Sequence, residues 1–236
     1  MANKTALIVG AGPGLGTALA QKFAAEGYDV ALAARNLDRV TGLAGELTRG
    51  ATKAKAFKAD ATDEASMKAL FADVEGAMGP ISVAIHNVNG RIVKDLLDLT
   101  VADMESQWRT ITLGGFLTGR EAARHMVPRG AGTIVFIGGR GGRRGIAKFT
   151  AFGSAKAGVR SVAECLAREL APSGIHVAHI AVEATIGGPR ANPEQVATDA
   201  IVDPAALAEV VYQTHVQPKS CWTFEVDLRA WSEAFL

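Results

Sequence analysis

The sequence predicts an α/β fold: a single doubly wound parallel sheet of about seven strands with helices on both faces. Three observations predict it. Short apolar runs alternate with stretches of helical periodicity along the 236 residues, and such alternation gives parallel strands joined by right-handed crossovers. A glycine-rich turn, Gly10-Ala11-Gly12-Pro13-Gly14-Leu15-Gly16, separates the first apolar run, beginning at Thr5, from the first helical run, Thr17 to Glu26. No repeat, linker or low-complexity segment divides the chain, so residues 1–236 are expected to form one domain, large enough for a full core.

In order, Tyr28 to Ala34 reads as the second strand and Asn36 to Thr48 as the helix after it. Ala54 to Lys58 is a short third strand, followed by Asp60. Thr62 is placed to cap the next helix, with Asp63 and Glu64 in its first turn, where acids favour the helix dipole. Ile81 to Ile85 is the fourth strand and leads into His86-Asn87-Val88-Asn89-Gly90. A long helical pattern runs from about Val101 to Met126, and Gly132 to Ile137 is the fifth strand. The glycine- and arginine-rich loop 138–148 precedes a helix from about Thr150 to Leu170. Ile175 to Ala181 is the sixth strand, and 182–203 is irregular, a candidate substrate loop. Asp203-Pro204 opens a last helix, and Cys221 to Leu228 is a last strand.

Composition excludes several function classes. Lys plus Arg number 25 against Asp plus Glu 24, so no global field recruits nucleic acid or acidic lipid. Only Cys165 and Cys221 are present, far apart and without metal-ligand spacing, which argues against disulfides and against a metal site. Met1-Ala2-Asn3-Lys4 leads straight into the first strand, so no signal peptide is expected. No run approaches the roughly 20 apolar residues that span a bilayer. The expectation is a soluble, cytoplasmic protein.

The chemistry gathers at the strand ends. Glycines in the first turn let the backbone approach a dinucleotide pyrophosphate, whose charge sits at the positive end of the helix that follows. The second strand ends at Ala34-Arg35 rather than at an acid. Without a carboxylate for a ribose 2′-hydroxyl, and with a guanidinium for a 2′-phosphate, NADP(H) is expected over NAD(H). His86 stands at the C-terminal end of strand four, the edge where open α/β sheets bind ligands, as an alternative acid or as a hydrogen-bonded structural histidine. Gly138-Gly139-Arg140-Gly141-Gly142-Arg143-Arg144-Gly145 has the look of an RNA-binding segment. It is short and joins a strand to a helix inside a domain, which leaves a solvated loop or a positive rim for an anionic substrate.

Together these landmarks resemble the short-chain dehydrogenase/reductase family over essentially the whole chain, and so a Rossmann-like fold. The family's G-x-x-x-G-x-G turn is here Gly10, Gly14 and Gly16. Its acid after strand three is Asp60, its N-N-A-G stretch reads His86-Asn87-Val88-Asn89, and its Y-x-x-x-K motif reads Phe152-Gly153-Ser154-Ala155-Lys156. The resemblance implies a cofactor site made by Gly10, Gly12, Gly14, Leu15 and Gly16, with Arg35, Asp60, Ala61, Asn87 and Lys156. It also implies a tyrosine proton donor, a serine for the oxyanion, an asparagine supporting a water and a lysine holding the nicotinamide ribose. Those positions are Phe152, Gly139, Thr112 and Lys156, so Lys156 alone survives. Phe152 has no ionisable proton and is expected to pack, and Gly139 offers no side-chain donor. After strand six the family's Pro-Gly and later Thr are replaced by Val182-Glu183 and Gly187. Glu183 is expected to be an exposed carboxylate, or a base if it points into the cleft.

Two functions follow. One is an NADP(H)-dependent oxidoreductase on a small anionic or apolar molecule, its proton supplied by substrate, water or a residue such as His86. The other is a catalytically impaired dinucleotide-binding sensor or partner subunit. In the family the long helices at about 101–126 and 150–170 pair across two-fold axes, which implies a homodimer or homotetramer. The last helix and strand, with Trp222 and Trp231, are a second expected contact.

Overall fold

The structure, a computed structural model, describes residues 4–48, 52–189, 191, 194, 196 and 200–232. Parts of the candidate substrate loop and both chain ends therefore lie outside the described residues. Seven parallel strands form one sheet in the order β3-β2-β1-β4-β5-β6-β7. They are β1 (Thr5–Val9), β2 (Asp29–Ala34), β3 (Ala54–Lys58), β4 (Ile81–His86), β5 (Gly132–Ile137), β6 (Ile175–Val182) and β7 (Glu225–Leu228). The helices are α1 (Leu15–Ala25), α2 (Asp38–Thr48), α3 (Glu64–Met78), α4 (Val101–Gln107), α5 (Gly114–Met126), α6 (Thr150–Leu170) and α7 (Pro204–His215).

Strand alternation divides the core in two. Leu7, Val9, Ile134, Phe136 and Val177 face one side, where residues of α3, α5 and α6 cover them. Ala6, Ile8, Val83, Ile180 and Val182 face the other, beneath Leu19 and Phe23 of α1 and Leu207 and Val211 of α7. Because both faces are covered, the central strands are largely apolar, buried runs, whereas the edge strands β3 and β7 carry Lys55, Lys58, Glu225 and Asp227. The winding reverses between β1 and β4, and the crevice at their C-terminal ends is where such sheets bind ligands.

Local details depart from the sequence reading. The helix α1 starts at Leu15, two residues early. Asp63, not Thr62, caps α3, accepting from the Ser66 N–H, while the Thr62 hydroxyl donates to Asp60 at 2.9 Å. The long helix expected over 101–126 is two helices joined by a π-helical stretch, Trp108–Leu113. That wider turn seats Thr112 against α6: its hydroxyl donates to the Ala155 carbonyl at 2.9 Å, and a Cβ on Gly158 would lie 2.6 Å from its oxygen. The last strand begins at Glu225, not Cys221. Before it, Gln217 and Thr223 hydrogen-bond each other and Trp222 stacks on His176 at 4.9 Å.

Candidate functional site

The glycine turn is built at the switch point. The Gly10 and Ala11 N–H groups both donate to the Ala33 carbonyl, and Asn87 donates through its side chain to the Gly10 carbonyl at 3.1 Å. Gly10 has φ 89°, and a Cβ there would lie 2.8 Å from the Asn87 backbone, so only glycine lets β1 and β4 emerge this close. Gly16 is needed for helix–strand approach, its added Cβ falling 3.1 Å from the Ala11 Cα. Gly14, at φ 94°, starts α1 with no side-chain cap and no acid in the first turn. A Cβ on it would lie 3.4 Å from the Gly187 carbonyl, so the chain after β6 folds over the turn. Leu15 is buried, its side chain in the core beneath α1.

Gly12 differs from its neighbours. Its φ lies outside the left-handed region, and a Cβ there would meet nothing within 4 Å. Packing of the protein gives no reason for a glycine at this position. A group held close above an uncapped helix start, as a pyrophosphate is, gives one.

Farther along the edge, Arg35 is exposed just beyond β2. Asp60 accepts from the Thr62 N–H and hydroxyl, each at 2.9 Å, and these bonds, with the nearby charges of Arg35 and Arg109, hold its carboxyl below the usual range. Ala61 is buried, its carbonyl 3.3 Å from where a Cβ on Gly114 would be.

At the other end α6 carries Phe152 and Lys156 inward, one turn apart. Both are buried, the lysine Nζ 5.7 Å from the Phe152 ring centroid. Phe149 packs edge-on against Phe152 at 5.8 Å. Lys156 donates to the Ile137 and Gly138 carbonyls, each at 3.1 Å, at the end of β5. A Cβ on Gly139 would lie 3.3 Å from the Lys156 Cε, so the lysine stem borders the space a serine there would use.

Burial lowers the Lys156 pKa from 10.5 to about 8. Between these values the unfolded chain binds more protons than the folded one, so this group makes stability rise with pH from about 8 to 10.5. Below pH 8 its penalty is fully present, at about 3 kcal/mol. The expected result for Lys156→Met is loss of that rise. Measured by urea unfolding, the stability difference between wild type and variant changes by about 3 kcal/mol across this window. An unchanged difference would place the lysine in a wetter setting than the geometry shows.

Of the two readings of His86, the geometry favours the hydrogen-bonded structural histidine. It lies beneath α5, fully buried, near Gly114 and Gly115. The Thr118 hydroxyl donates to the Gly114 carbonyl, so His86 Nδ1–H donates to the Thr118 oxygen at 3.0 Å. Burial pushes its pKa to about 3, with the Lys156 charge acting in the same direction. A neutral, enclosed imidazole is a structural group and not a proton donor to the cleft.

Two further features were not read from the sequence. Glu183, expected exposed, is buried at the end of β6, and neither carboxylate oxygen has a hydrogen-bond partner. The loop arginines form no open positive rim. Arg143 pairs with Asp227 and lies 3.6 Å from Glu225, Arg144 lies 3.7 Å from Glu183, and Arg140 donates to the Glu183 carbonyl at 3.1 Å. Beneath them His179 Nδ1 meets Glu225 at 3.0 Å, and Arg160 bonds the same carboxylate at 2.6 and 3.3 Å.

Fold and cleft define a class: a doubly wound α/β protein with a dinucleotide-type crevice at its switch point. The family model for short chain dehydrogenases matches residues 4–188. A short-chain dehydrogenase/reductase of Armillaria gallica is 30% identical over 179 residues, covering 74% of this chain and 68% of that protein. A mouse (Mus musculus) 3-oxoacyl-(acyl-carrier-protein) reductase is 31% identical over 175 residues, covering 74% and 72%. The crystal structure of a short-chain dehydrogenase from Rhodopseudomonas palustris superposes with a TM-score of 0.85 at 36% identity, over 97% of this chain and 99% of that one. An alcohol dehydrogenase from Thermococcus sibiricus, solved with 5-hydroxy-NADP, matches in fold with a TM-score of 0.89 at 23% identity, over 99% of each chain. The chain belongs to the short-chain dehydrogenase family of oxidoreductases. Among the described residues, no helix is long and apolar enough to cross a membrane.

Proposed function

We propose that this protein is an NADP(H)-dependent oxidoreductase whose proton chemistry does not use a phenol. The observation that carries the cofactor reading is Gly12, a glycine the protein's own packing does not require, in a turn that opens onto an uncapped helix. The start of α1 holds the pyrophosphate, with Gly12 allowing close approach. Arg35 bonds the 2′-phosphate, Asp60 and Ala61 border the adenine end, and Asn87 fixes the turn through Gly10. The structure of the Thermococcus sibiricus protein with 5-hydroxy-NADP supports the NADP form.

Bound there, the cofactor supplies or accepts a hydride. The chain's part is to bind, orient and manage the proton. Lys156 holds the nicotinamide ribose and presents a cation at the reacting end. Phe152 excludes water and gives an apolar wall where a proton donor would stand. Any proton that moves passes through Lys156, water or the substrate itself.

The loss of both phenol and serine also favours a second reading, a binding protein that senses the cofactor or serves an active partner. Tight NADPH binding with no turnover of aldehydes, ketones, quinones or imines would establish that reading. Exposed Leu96, Leu97, Val101, Trp108 and Phe116 cluster on and before α4 and α5 and support a homodimer or homotetramer. The reading keeps the assembly cytoplasmic. A monomeric mass by light scattering at micromolar concentration would contradict the assembly.

The cofactor preference is tested at Arg35. Arg35→Ala is expected to weaken NADPH binding by about tenfold to a hundredfold, the range for a lost charge-assisted contact, and to leave NADH binding unchanged. Calorimetric Kd values for both nucleotides check it. Equal wild-type affinities, or a preference that survives the substitution, would overturn the NADP assignment.

A further inference from the structure

Glu183 stands apart among the buried acids. Asp29 accepts from the Lys53 N–H at 2.8 Å, and Glu121 accepts from Arg120 at 3.2 Å. Glu183 is as buried as these, yet neither of its oxygens accepts a hydrogen bond, and Arg144 Nε stays 3.7 Å away. A buried carboxylate without hydrogen bonds is costly, so a fold that keeps one carries a charge it has not fully compensated.

The strand register puts this charge on the reaction side. In β6, Ile180 and Val182 face the layer of α1 and α7, whereas Val177 faces the layer of α6. By alternation His179, Ala181 and Glu183 share that second face, from which α6 sends Phe152 and Lys156 into the same end of the sheet. Four residues on, the Gly187 carbonyl lies 3.4 Å from where a Cβ on Gly14 would be. Glu183 thus lies between the hydride end of the cleft and the loop that closes over it.

We propose that Glu183 selects an organic cation, and that the hydride acceptor of this site is an iminium group. The proposal rests on the cofactor reading above. It joins two facts that otherwise stand apart: the acid needed to protonate a carbonyl oxygen is missing, and a partly compensated carboxylate is present. A ketone that accepts hydride at carbon needs a proton on oxygen. An iminium does not: hydride forms the new C–H bond, and the C=N π pair becomes the nitrogen lone pair. The products are a neutral amine and the oxidised nicotinamide, with no proton consumed. Glu183 offsets the cation on binding, and the Arg144 guanidinium, held at ion-pair distance without a hydrogen bond, gives way to it.

The test uses a stable cation, 1,1-dimethylpyrrolidinium, with cyclopentanone as the neutral ring. Calorimetry should show the cation binding wild type and binding Glu183→Gln at least tenfold more weakly, with cyclopentanone indifferent to the change. With NADPH, the reactive 1,2-dimethyl-1-pyrrolinium should be reduced faster than cyclopentanone, and Glu183→Gln should lower its kcat/KM about tenfold to a hundredfold. Glu183→Gly serves as a second variant, and a cooperative melt of each shows that the fold is kept. NADPH affinity is measured on the same samples. If wild type fails to bind NADPH, the cofactor reading falls and this proposal with it. If NADPH binds but the cation does not, or Glu183→Gln binds and reduces it as wild type does, only this proposal is overturned.

Discussion

Phe152→Tyr combined with Gly139→Ser is expected to raise NADPH-dependent reduction of a simple ketone or aldehyde by at least about 10²-fold over wild type. A phenol in place of the Phe152 ring has the Lys156 cation close by, 5.7 Å from the ring centroid, and a positive charge favours phenolate, which tunes the phenol toward neutral pH. Serine at 139 adds the donor for the oxyanion. Its Cβ would lie 3.3 Å from the Lys156 Cε, a contact the flexible lysine end relieves by a few tenths of an ångström. A positioned general acid is worth about 10² to 10⁴ in rate. An oxyanion donor is worth about 10² to 10³. Neither single change should give much, because residues that act as a unit are non-additive. Thr112→Asn, which the family pattern suggests as a third change, is a poor addition: Thr112 is already packed on Gly158 and bonded to Ala155. Steady-state NADPH oxidation by all variants checks the expectation. A double variant that binds NADPH but stays as inactive as wild type would show that the pocket does not present a carbonyl to this end of the cleft.

Acid should unfold the protein sooner than its net charge suggests. Burial lowers the pKa of His86 from 6.5 to about 3, and those of His179 and His215 to about 4. Each folded pKa lies below its unfolded value, so stability is complete above pH 6.5 and is lost as pH falls from 6.5 toward 3–4. His86 alone accounts for up to about 5 kcal/mol of that loss, against about 5–15 kcal/mol for a whole domain. Its Nε2 makes no hydrogen bond, and the Ile111 backbone only partly offsets the effect of burial. Circular dichroism against pH should show cooperative unfolding complete before pH 4. His86→Asn, which cannot charge, should move the midpoint down by about half a unit or more relative to its own pH 7 stability. A midpoint unmoved by the substitution would mean that His86 is solvated before the fold opens.

The fold was legible because two-faced burial makes the central strands runs such as Thr5 to Val9, and glycines and caps mark where runs end. The cofactor turn was legible for the same reason: Gly10, Gly14 and Gly16 answer local backbone demands. That Phe152 and Gly139 stand where the family carries its tyrosine and serine is an expectation from motif register, and the proposed mechanism rests on it. What escaped was non-local. Glu183 reads as a loop carboxylate until β6 is seen to run to Val182 and the loop 138–148 to close over it. The arginines of that loop read as free charge until Glu225 and Asp227, some eighty residues later, arrive on the neighbouring strand. The π-helical turn at Trp108–Leu113 also escaped, since the contact it makes, Thr112 against Gly158, joins helices distant in sequence.

The central claim is that the cleft above the first turn holds a dinucleotide, and Gly12→Asp tests it most directly. A Cβ at this position meets no protein atom within 4 Å, and the substitution adds an acid beside an uncapped helix start, so the fold is expected to be unharmed or slightly steadier. The same carboxylate would stand where the pyrophosphate approaches and repel it. Calorimetric titration with NADPH is predicted to show wild-type binding and at least about a hundredfold loss in Gly12→Asp, a gap of nearly 3 kcal/mol, with the melting temperature unchanged or raised. NADPH binding that is absent from wild type, or equal in the two proteins, would contradict the account.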